Sequence, residues 1–377
     1  MLVREEQKAT MKIMKSLVIF TLGVMLGMGV AVTAYKLHIY HIDFAQKAHH
    51  LKDHVTIALD RAFGSKVRAA KLEHAVAPAA YFPPGSPWTQ DISHAPLDPQ
   101  SSATISWLAN AGGWGNNNKM HIDFSMRVLQ ANATTPNVSF KGPGPGSADS
   151  DQLSTIPLPP GGGVEGQTNY QCQGGDCHLI VVDRSHSKLY EAYQANYEGN
   201  ALTAGFIAVW DLNRLYPPSG RGDQCTSADA AGFPIAPLLF NADEIATGSI
   251  NHAIRFTLPN ERIRAHVFVH PATHAGAPRG PAPAPPIGAR FRLKASYDVS
   301  QLMPEAQVVA RAMQKYGMFL ADGGNITLTA QNDADTKTKY ADLDFDSHSL
   351  YGLKVTDFEV VEMGTPIHLT YNCVRNP

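Results

Sequence analysis

The chain has 377 residues, 44% of them hydrophobic and 17% charged, and a formal net charge of −2. This length provides a sizeable core for one large or two ordinary domains, and the near-neutral charge excludes the electrostatic attraction on which nucleic-acid binding depends. Few charged residues, together with 31 glycines and 26 prolines, favour an extracytoplasmic, mainly β protein over a cytosolic α/β enzyme.

The N-terminus carries an export signal. Four basic residues, the last of them Lys15, precede an uncharged run from Ser16 to Tyr35. The run is longer than the roughly 7–15 residues of a secretory core and long enough for a spanning helix of roughly 17–25 residues. Residues 1–35 are therefore predicted to be either a signal peptide, with a cleavage site at Val32-Thr33-Ala34, or an uncleaved signal anchor. Basic residues ahead of the run place the rest of the chain outside, secreted or attached to the membrane through this segment.

Residues 36–77 differ from everything after them. They contain a single glycine, no proline and apolar residues at about helical spacing, which predicts a membrane-proximal helical stalk. The stalk is rich in histidine, and His50 and His54 would lie on one helix face, where they could bind a metal. A solvated histidine-rich face is the alternative interpretation.

From residue 78 onward the pattern is one of short strands separated by Pro/Gly turns. A Pro/Gly-rich segment at 141–176 is predicted to be either an interdomain linker or a long loop over a single sandwich. Ser101 or Ser102 could cap a short helix that ends near Leu108. The predicted strands cover 178–184, 188–194, 204–212, 250–258, 265–270 and 289–297, with further strands near 319, 326–330, 352–362 and 367–371.

One helix interrupts this series of strands. Ser300 is its predicted N-cap, Pro304 suits its first turn and Gly317 ends it. In the preceding strand Arg290 and Arg292 alternate with apolar residues, which predicts one charged face. Residues 78–377 are therefore expected to form a mainly β domain, a β-sandwich or jelly roll with one inserted helix.

The four cysteines predict two disulfides. Cys172 and Cys177 bracket a short turn-forming loop, which leaves Cys225 and Cys373 as a long-range pair. A metal site is the alternative, although the cysteine spacings match no zinc pattern.

Five sequence motifs lie in the second half of the chain: TSADAAGFPI at 226–235, DE at 243–244, INHAIRF at 250–256, PPIGARFRLKA at 285–295 and YGMFLAD at 316–322. On these motifs the chain resembles a family of secreted bacterial proteins of unknown function. The resemblance covers about residues 86–362, and it implies one undivided domain over this span. It implies no particular activity.

Three carboxylates in apolar surroundings are candidates for catalysis: Asp229, Glu191 and Asp322. Hydrolysis of a glycosidic bond needs two carboxyl groups that face one groove, one protonated and one ionised, and burial raises the pKa of the acid. The structural alternative is that Asp229 braces a turn and that Asp322, before Gly323-Gly324, is a turn residue.

Two histidines complete the candidate site. His252 lies on a predicted strand and shares a face with Ile254 and Phe256, so it is either a core residue or a site residue. His274 follows His270 on a loop at a strand end, where site residues tend to gather. His252 and His274 could join Asp229 or Asp243 in a metal or acid–base cluster, but the sequence assigns neither a metal nor a cofactor.

The sequence contains no nucleophile elbow and no phosphate-binding loop. The preferred hypothesis is an exported hydrolase that acts on an extracellular polysaccharide. Asp229 would work with Glu191 or Asp322, and His252 and His274 would position the substrate. The alternative is a non-catalytic protein that binds glycan or builds the cell envelope. The expected partners are a polysaccharide or other envelope glycan, and the membrane through the N-terminal segment, with no nucleic acid.

Overall fold

The structure, a computed structural model, describes residues 80–143 and 147–376. The predicted signal segment, 1–35, and the predicted stalk, 36–77, lie outside the described residues. Within the described part strand residues outnumber helical residues, which confirms a mainly β protein. No helix in this part of the chain has the length and the apolar character needed to cross a bilayer.

The strands of the described residues are β1 Ile122–Met126, β2 Val128–Ala131, β3 Asn137–Lys141, β4 Thr155–Pro157, β5 His178–Asp183, β6 Lys188–Tyr193, β7 Asn196–Glu198, β8 Ala201–Thr203, β9 Phe206–Asp211, β10 Ile254–Leu258, β11 Val267–Phe268, β12 Arg290–Leu293, β13 Met318–Gly323, β14 Leu328–Gln331, β15 Phe358–Val360 and β16 Ile367–His368. The helices of six residues or more are α1 Ser101–Asn110, α2 Ala242–Thr247 and α3 Pro304–Lys315.

A six-stranded mixed sheet forms the largest layer, with the order β1-β14-β10-β13-β12-β15. Strand β1 runs parallel to β14, and β10 runs parallel to β13, whereas β12 is antiparallel to both of its neighbours. Phe256, Phe291 and Leu320 from this sheet are fully buried, and α3 packs against β12. The main hydrophobic core therefore lies on this sheet.

Two four-stranded sheets, β2-β5-β6-β9 and β4-β3-β8-β7, share a second hydrophobic cluster. In β5, Leu179 and Val181 belong to this second cluster, and Ile180 and Val182 belong to the main core. Successive side chains of a strand point to opposite faces, so the β2-β5-β6-β9 sheet is buried on both faces. This explains the almost continuous apolar run at the start of the predicted strand at 178–184.

The predicted hairpin between 178–184 and 188–194 is confirmed as β5 and β6, paired along their whole length. Asp183 stabilises the turn, because its Oδ1 accepts hydrogen bonds from the backbone N–H of Ser185, at 3.0 Å, and of His186, at 3.2 Å. The turn places Arg184 on the surface directly after β5.

The inserted helix, α3, begins later than predicted. Met303 is its N-cap, and Ser300 lies in a separate 3-10 turn, whose first N–H groups are capped by Asp298. Pro304 determines where α3 begins, because it is the first helical residue and needs no N–H partner at that position. The short helix predicted near Ser101 is present as α1, but its N-cap is Gln100, and Ser101 is already its first helical residue. The sequence did not predict α2, which begins at a capping box formed by Asn241 and Glu244.

The predicted charged face of β12 is also wrong, because Arg290 and Arg292 are both buried. Arg290 donates hydrogen bonds to the carbonyl oxygens of Tyr316, at 2.7 Å, and Gln90, at 2.9 Å. Arg292 donates to the carbonyl oxygen of Ile92 and pairs with a glutamate of β15. Guanidinium groups carry enough donors to satisfy several carbonyl oxygens at once, so these two arginines fasten the 90–95 segment to the sheet.

Both predicted disulfides are present, Cys172–Cys177 and Cys225–Cys373, with sequence separations of 5 and 148. Disulfides persist in oxidising compartments, so the pair of bonds agrees with an extracytoplasmic protein. The Pro/Gly-rich segment at 141–176 carries β4, which pairs with β3, and the fully buried Val164. This segment is therefore part of the packed structure.

Candidate functional site

A buried ion pair between Asp229 and Arg255 is the centre of the candidate site. The two side chains are 0% and 4% exposed, and the Nη2 of Arg255 donates to Oδ1 of Asp229. Arg255 is an interior residue of β10, and its Nη1 also donates to the hydroxyl of Thr329, at 2.6 Å. Asp229 accepts a further bond from the backbone N–H of Ala231, at 3.2 Å. A buried charge is tolerated only when it is paired in this way.

A second ion pair, between Glu165 and His178, adjoins the first. Nδ1 of His178 lies 2.6 Å from Oε2 of Glu165, and its Nε2 lies 3.0 Å from the carbonyl oxygen of Ala228. Both partners only accept hydrogen bonds, so both ring nitrogens donate and the imidazole is protonated. Burial lowers the pKa of His178, but the hydrogen bond and the charge of Glu165 outweigh burial, and the pKa is raised.

The two carboxylates nearest to solvent in this cluster have opposite pKa shifts. Burial raises the pKa of Asp322 to about 6, the charge of Asp229 adds to this effect, and Arg255 opposes it. Burial also raises the pKa of Glu165, but the hydrogen bond and charge of His178, a hydrogen bond from Ser125 and the charge of Arg255 leave it lowered. Below about pH 6 the site therefore holds one carboxyl that carries a proton, Asp322, and one that stays ionised, Glu165.

An aromatic ring lies beside these carboxylates. Tyr193, at the end of β6, is partly exposed, and its ring centroid is 5.4 Å from that of His178. Burial, followed by the charges of Asp176 and Asp322, raises the pKa of the Tyr193 hydroxyl. The site thus combines three carboxylates, the buried guanidinium of Arg255, the imidazole of His178 and a partly exposed aromatic ring.

Burial lowers the pKa of Arg255, but the charges of Asp229 and Asp322 outweigh burial and the pKa is raised, so these two carboxylates lie in one cluster around the guanidinium. Asp229 itself has its pKa raised by burial, with Arg255 as the opposing charge. Asp322 lies where the pairing of β13 with β10 shifts register. A β-bulge of this kind redirects side chains, which explains how a strand residue in an apolar run remains partly exposed.

Glu191 is fully buried, and three donors already saturate its carboxylate. The backbone N–H groups of Ile235 and Ala236 donate to Oε1, both at 2.8 Å, and Nε1 of Trp210 donates to Oε2, at 3.0 Å. Burial nevertheless raises the pKa of Glu191 to about 7. These contacts join β6, β9 and the 235–236 segment, so the role of the Glu191 carboxylate is to hold these three elements together.

The two predicted histidines have separate partners. His252 precedes β10 instead of lying on it; its Nε2 is 3.1 Å from Oε1 of Glu244, and its Nδ1 is 2.7 Å from the carbonyl oxygen of Ala253. Burial lowers the pKa of His252, but the charge of Glu244 outweighs burial, and the pKa is raised. His274 accepts a hydrogen bond at Nδ1 from the N–H of Gly276, at 3.0 Å, and burial lowers its pKa. Neither histidine joins Asp229.

Three residues of the site were not predicted: Glu165, His178 and Arg255. Glu165 lies in the Pro/Gly-rich segment, where composition gave no indication of a site. His178 begins a strand that was predicted, but nothing marked its side chain. Arg255 did carry a signal, because a charged residue with apolar neighbours in the middle of a buried strand requires a buried partner.

One group of potential metal ligands occurs among the described residues, namely Asp149, Cys225 and Cys373. The two cysteines are joined in a disulfide, and only a thiolate binds metal, so this group provides no metal site. No family model, no curated protein and no solved structure matches the chain. The resemblance to secreted bacterial proteins therefore stays a prediction.

Proposed function

We propose that the chain is an exported hydrolase of a polysaccharide, with Asp322 as the general acid and Glu165 as the ionised carboxylate. The observation that carries this proposal is the pair of opposite pKa shifts around Arg255 and His178. Glycoside hydrolysis needs one carboxyl that gives a proton to the leaving oxygen, and a second that activates water or attacks the anomeric carbon. The protonated Asp322 suits the first role and Glu165 the second.

The neighbouring residues support these two roles. His178 and Ser125 orient Glu165 through hydrogen bonds of 2.6 and 2.9 Å, and the charge of His178 keeps it ionised. The ion pair with Asp229 holds Arg255 in place, and the charge of Arg255 acts on Asp322 and Glu165, so Asp229 and Arg255 are positioning residues. The partly exposed ring of Tyr193 offers an apolar face to the C–H groups of a sugar.

This assignment revises the pairs expected from the sequence. Asp229 and Glu191 are buried and fully engaged by their partners, so neither can reach a substrate without breaking contacts that stabilise the fold. Asp322 is retained from the expected set, and Glu165 replaces the second carboxylate. The two disulfides support export, and the cluster shared by the two four-stranded sheets supports a β-sandwich within the domain.

The direct test is a hydrolysis assay of the full chain on a panel of soluble polysaccharides. We expect Asp322→Asn and Glu165→Gln each to lower kcat/KM by about 100-fold or more, in the range measured for acid–base residues. Glu261→Gln is the matched control, because Glu261 is an exposed carboxylate that pairs only with Arg279. Activity should also fall as the pH rises above about 6, where Asp322 loses its proton.

Two results would count against the catalytic roles. One is a wild-type chain that hydrolyses none of the polysaccharides, and the other is full activity in Asp322→Asn and Glu165→Gln. The non-catalytic alternative, a protein that binds glycan or builds the envelope, would then be preferred.

The raised pKa of Asp322 also predicts a measurable effect on stability. Between pH 3.8 and about 6 the folded chain keeps a proton on Asp322 that the unfolded chain releases. The stability that this proton contributes is fully present below pH 3.8 and is lost as the pH rises through about 6. We expect Asp322→Asn to stabilise the protein at neutral pH by at most about 3 kcal/mol, and to have no such effect near pH 4. Asparagine retains the oxygen that accepts from the N–H of Gly323, so the comparison isolates the charge.

Urea unfolding of Asp322→Asn and wild type at the two pH values measures this difference. A stabilising effect of equal size at both pH values would show that the charge of Asp322 is not its cause.

A further inference from the structure

Two cavities, of about 330 and 290 Å³, share part of their lining. The residues common to both are Ala80, Tyr81, Phe82 and Arg184. None of the residues assigned to catalysis above lines either cavity. The two cavities thus form a site that is separate from the Asp322–Glu165 cluster.

The shared lining contains an aromatic ring with a guanidinium group over it. The guanidinium carbon of Arg184 lies 5.2 Å from the ring centroid of Tyr81. Tyr81 is partly exposed and Arg184 is exposed, so both remain accessible from the cavities. An aromatic ring next to a guanidinium group offers apolar area together with hydrogen-bond donors, a combination that suits the C–H groups and hydroxyls of a sugar ring.

His252, Glu244, Asp243 and Asp335, four ionisable groups of the larger cavity, already have partners of their own. His252 pairs with Glu244 at 3.1 Å. Asp243 accepts hydrogen bonds from the backbone N–H groups of two residues in the 337–338 segment, at 3.1 and 2.7 Å, and Asp335 pairs with Arg127 at 2.6 Å. A charged ligand would have to compete with these contacts, so the lining favours a neutral ligand.

Amide side chains provide most of the remaining polar groups of the larger cavity: Gln130, Asn241, Asn251 and Gln331. An amide both donates and accepts, as a hydroxyl does, so these side chains can bond to hydroxyl groups, with Asn241 limited to donating because its Oδ1 already accepts from the N–H of Glu244. The smaller cavity adds the side chains of Ser187 and Asn213. Its lining is thus of the same chemical type.

We infer that the paired cavities bind two neighbouring units of a neutral glycan chain, with Tyr81 and Arg184 in the lining that the two cavities share. Each cavity is near the lower end of the range of about 300–1,000 Å³ that small-ligand sites occupy, which limits each to a small unit such as one sugar ring. The site goes beyond the proposed hydrolysis and does not depend on the catalytic roles of Asp322 and Glu165.

Ligand-observed NMR and calorimetry with the full chain test this inference. The probes are glucose, cellobiose and N,N′-diacetylchitobiose, with gluconate and glucosamine as charged comparators. We expect a disaccharide to bind more tightly than glucose, and neutral sugars more tightly than charged ones. Tyr81→Ala should weaken disaccharide binding by about tenfold or more, the effect of losing about 1.4 kcal/mol of contact, and Gln130→Ala should weaken it less.

Tyr371→Ala is the matched control, because Tyr371 is an exposed tyrosine that lines neither cavity. Asp322→Asn should bind the disaccharide as wild type does, whether or not it hydrolyses a polymer. Binding without hydrolysis would therefore support this site while removing the catalytic proposal. The inference is overturned if no neutral probe binds, if gluconate or glucosamine binds better, or if Tyr81→Ala binds with unchanged affinity.

Discussion

Replacing both cysteines of the Cys225–Cys373 disulfide with alanine is expected to lower the free energy of unfolding by about 5 kcal/mol. The bond closes a loop with a sequence separation of 148, and the entropy that a cross-link removes from the unfolded chain grows with loop length. The matched control is the alanine replacement of Cys172 and Cys177. Their disulfide closes a loop with a separation of only 5, so its removal should cost about 2 kcal/mol.

Urea unfolding of both double variants, compared with the wild type under oxidising conditions, measures the two effects. Equal losses, or a greater loss for the Cys172/Cys177 variant, would contradict the loop-length explanation. With reductant present, the wild type should become no more stable than the less stable variant, because reduction opens both disulfides and each variant lacks only one.

The second large effect is expected at Glu191. Glu191→Ala leaves three buried donors without an acceptor, the N–H groups of Ile235 and Ala236 and Nε1 of Trp210, at a cost of about 4 kcal/mol or more. Glu191→Gln should cost less, because its carbonyl oxygen still accepts from the two backbone groups while its NH₂ faces the indole N–H. The variant Trp210→Phe removes that indole donor and should partly relieve the glutamine variant.

A double-mutant cycle of Glu191→Gln and Trp210→Phe, followed by urea unfolding, measures this coupling. Glu261→Ala is the control for removal of an exposed carboxylate and should be nearly neutral. A stable Glu191→Ala variant that has lost hydrolytic activity would reverse the structural assignment and return Glu191 to the catalytic pair.

Local signals along the chain were sufficient to predict much of the fold. Alternation and turn residues located the hairpin of β5 and β6, and cysteine spacing located both disulfides. The strands β1 to β4 were missed because they lie in stretches rich in Asn, Gly and Pro, where pairing with distant strands overrides local preference. The burial of Arg290 was missed for a related reason, since its acceptors lie in the 90–95 segment and at Tyr316.

The candidate site was only partly predictable. Asp229 and Asp322 stood out as carboxylates among apolar residues, and the structure brings them together around Arg255. Glu165 could not be identified, because its environment is created by His178, which lies in another element. A pKa shift depends on three-dimensional neighbours, so a sequence can suggest which carboxylates are buried but not which of them share a cation.

The pairing of β1 with β14 has a consequence for how the chain folds. Ile122 pairs with Leu328, so one edge of the six-stranded sheet cannot form until the ribosome has produced most of the chain. Contacts between such distant segments give a high contact order, and chains of this kind fold slowly. The six-stranded sheet therefore closes late, only after the chain has been synthesised as far as β14.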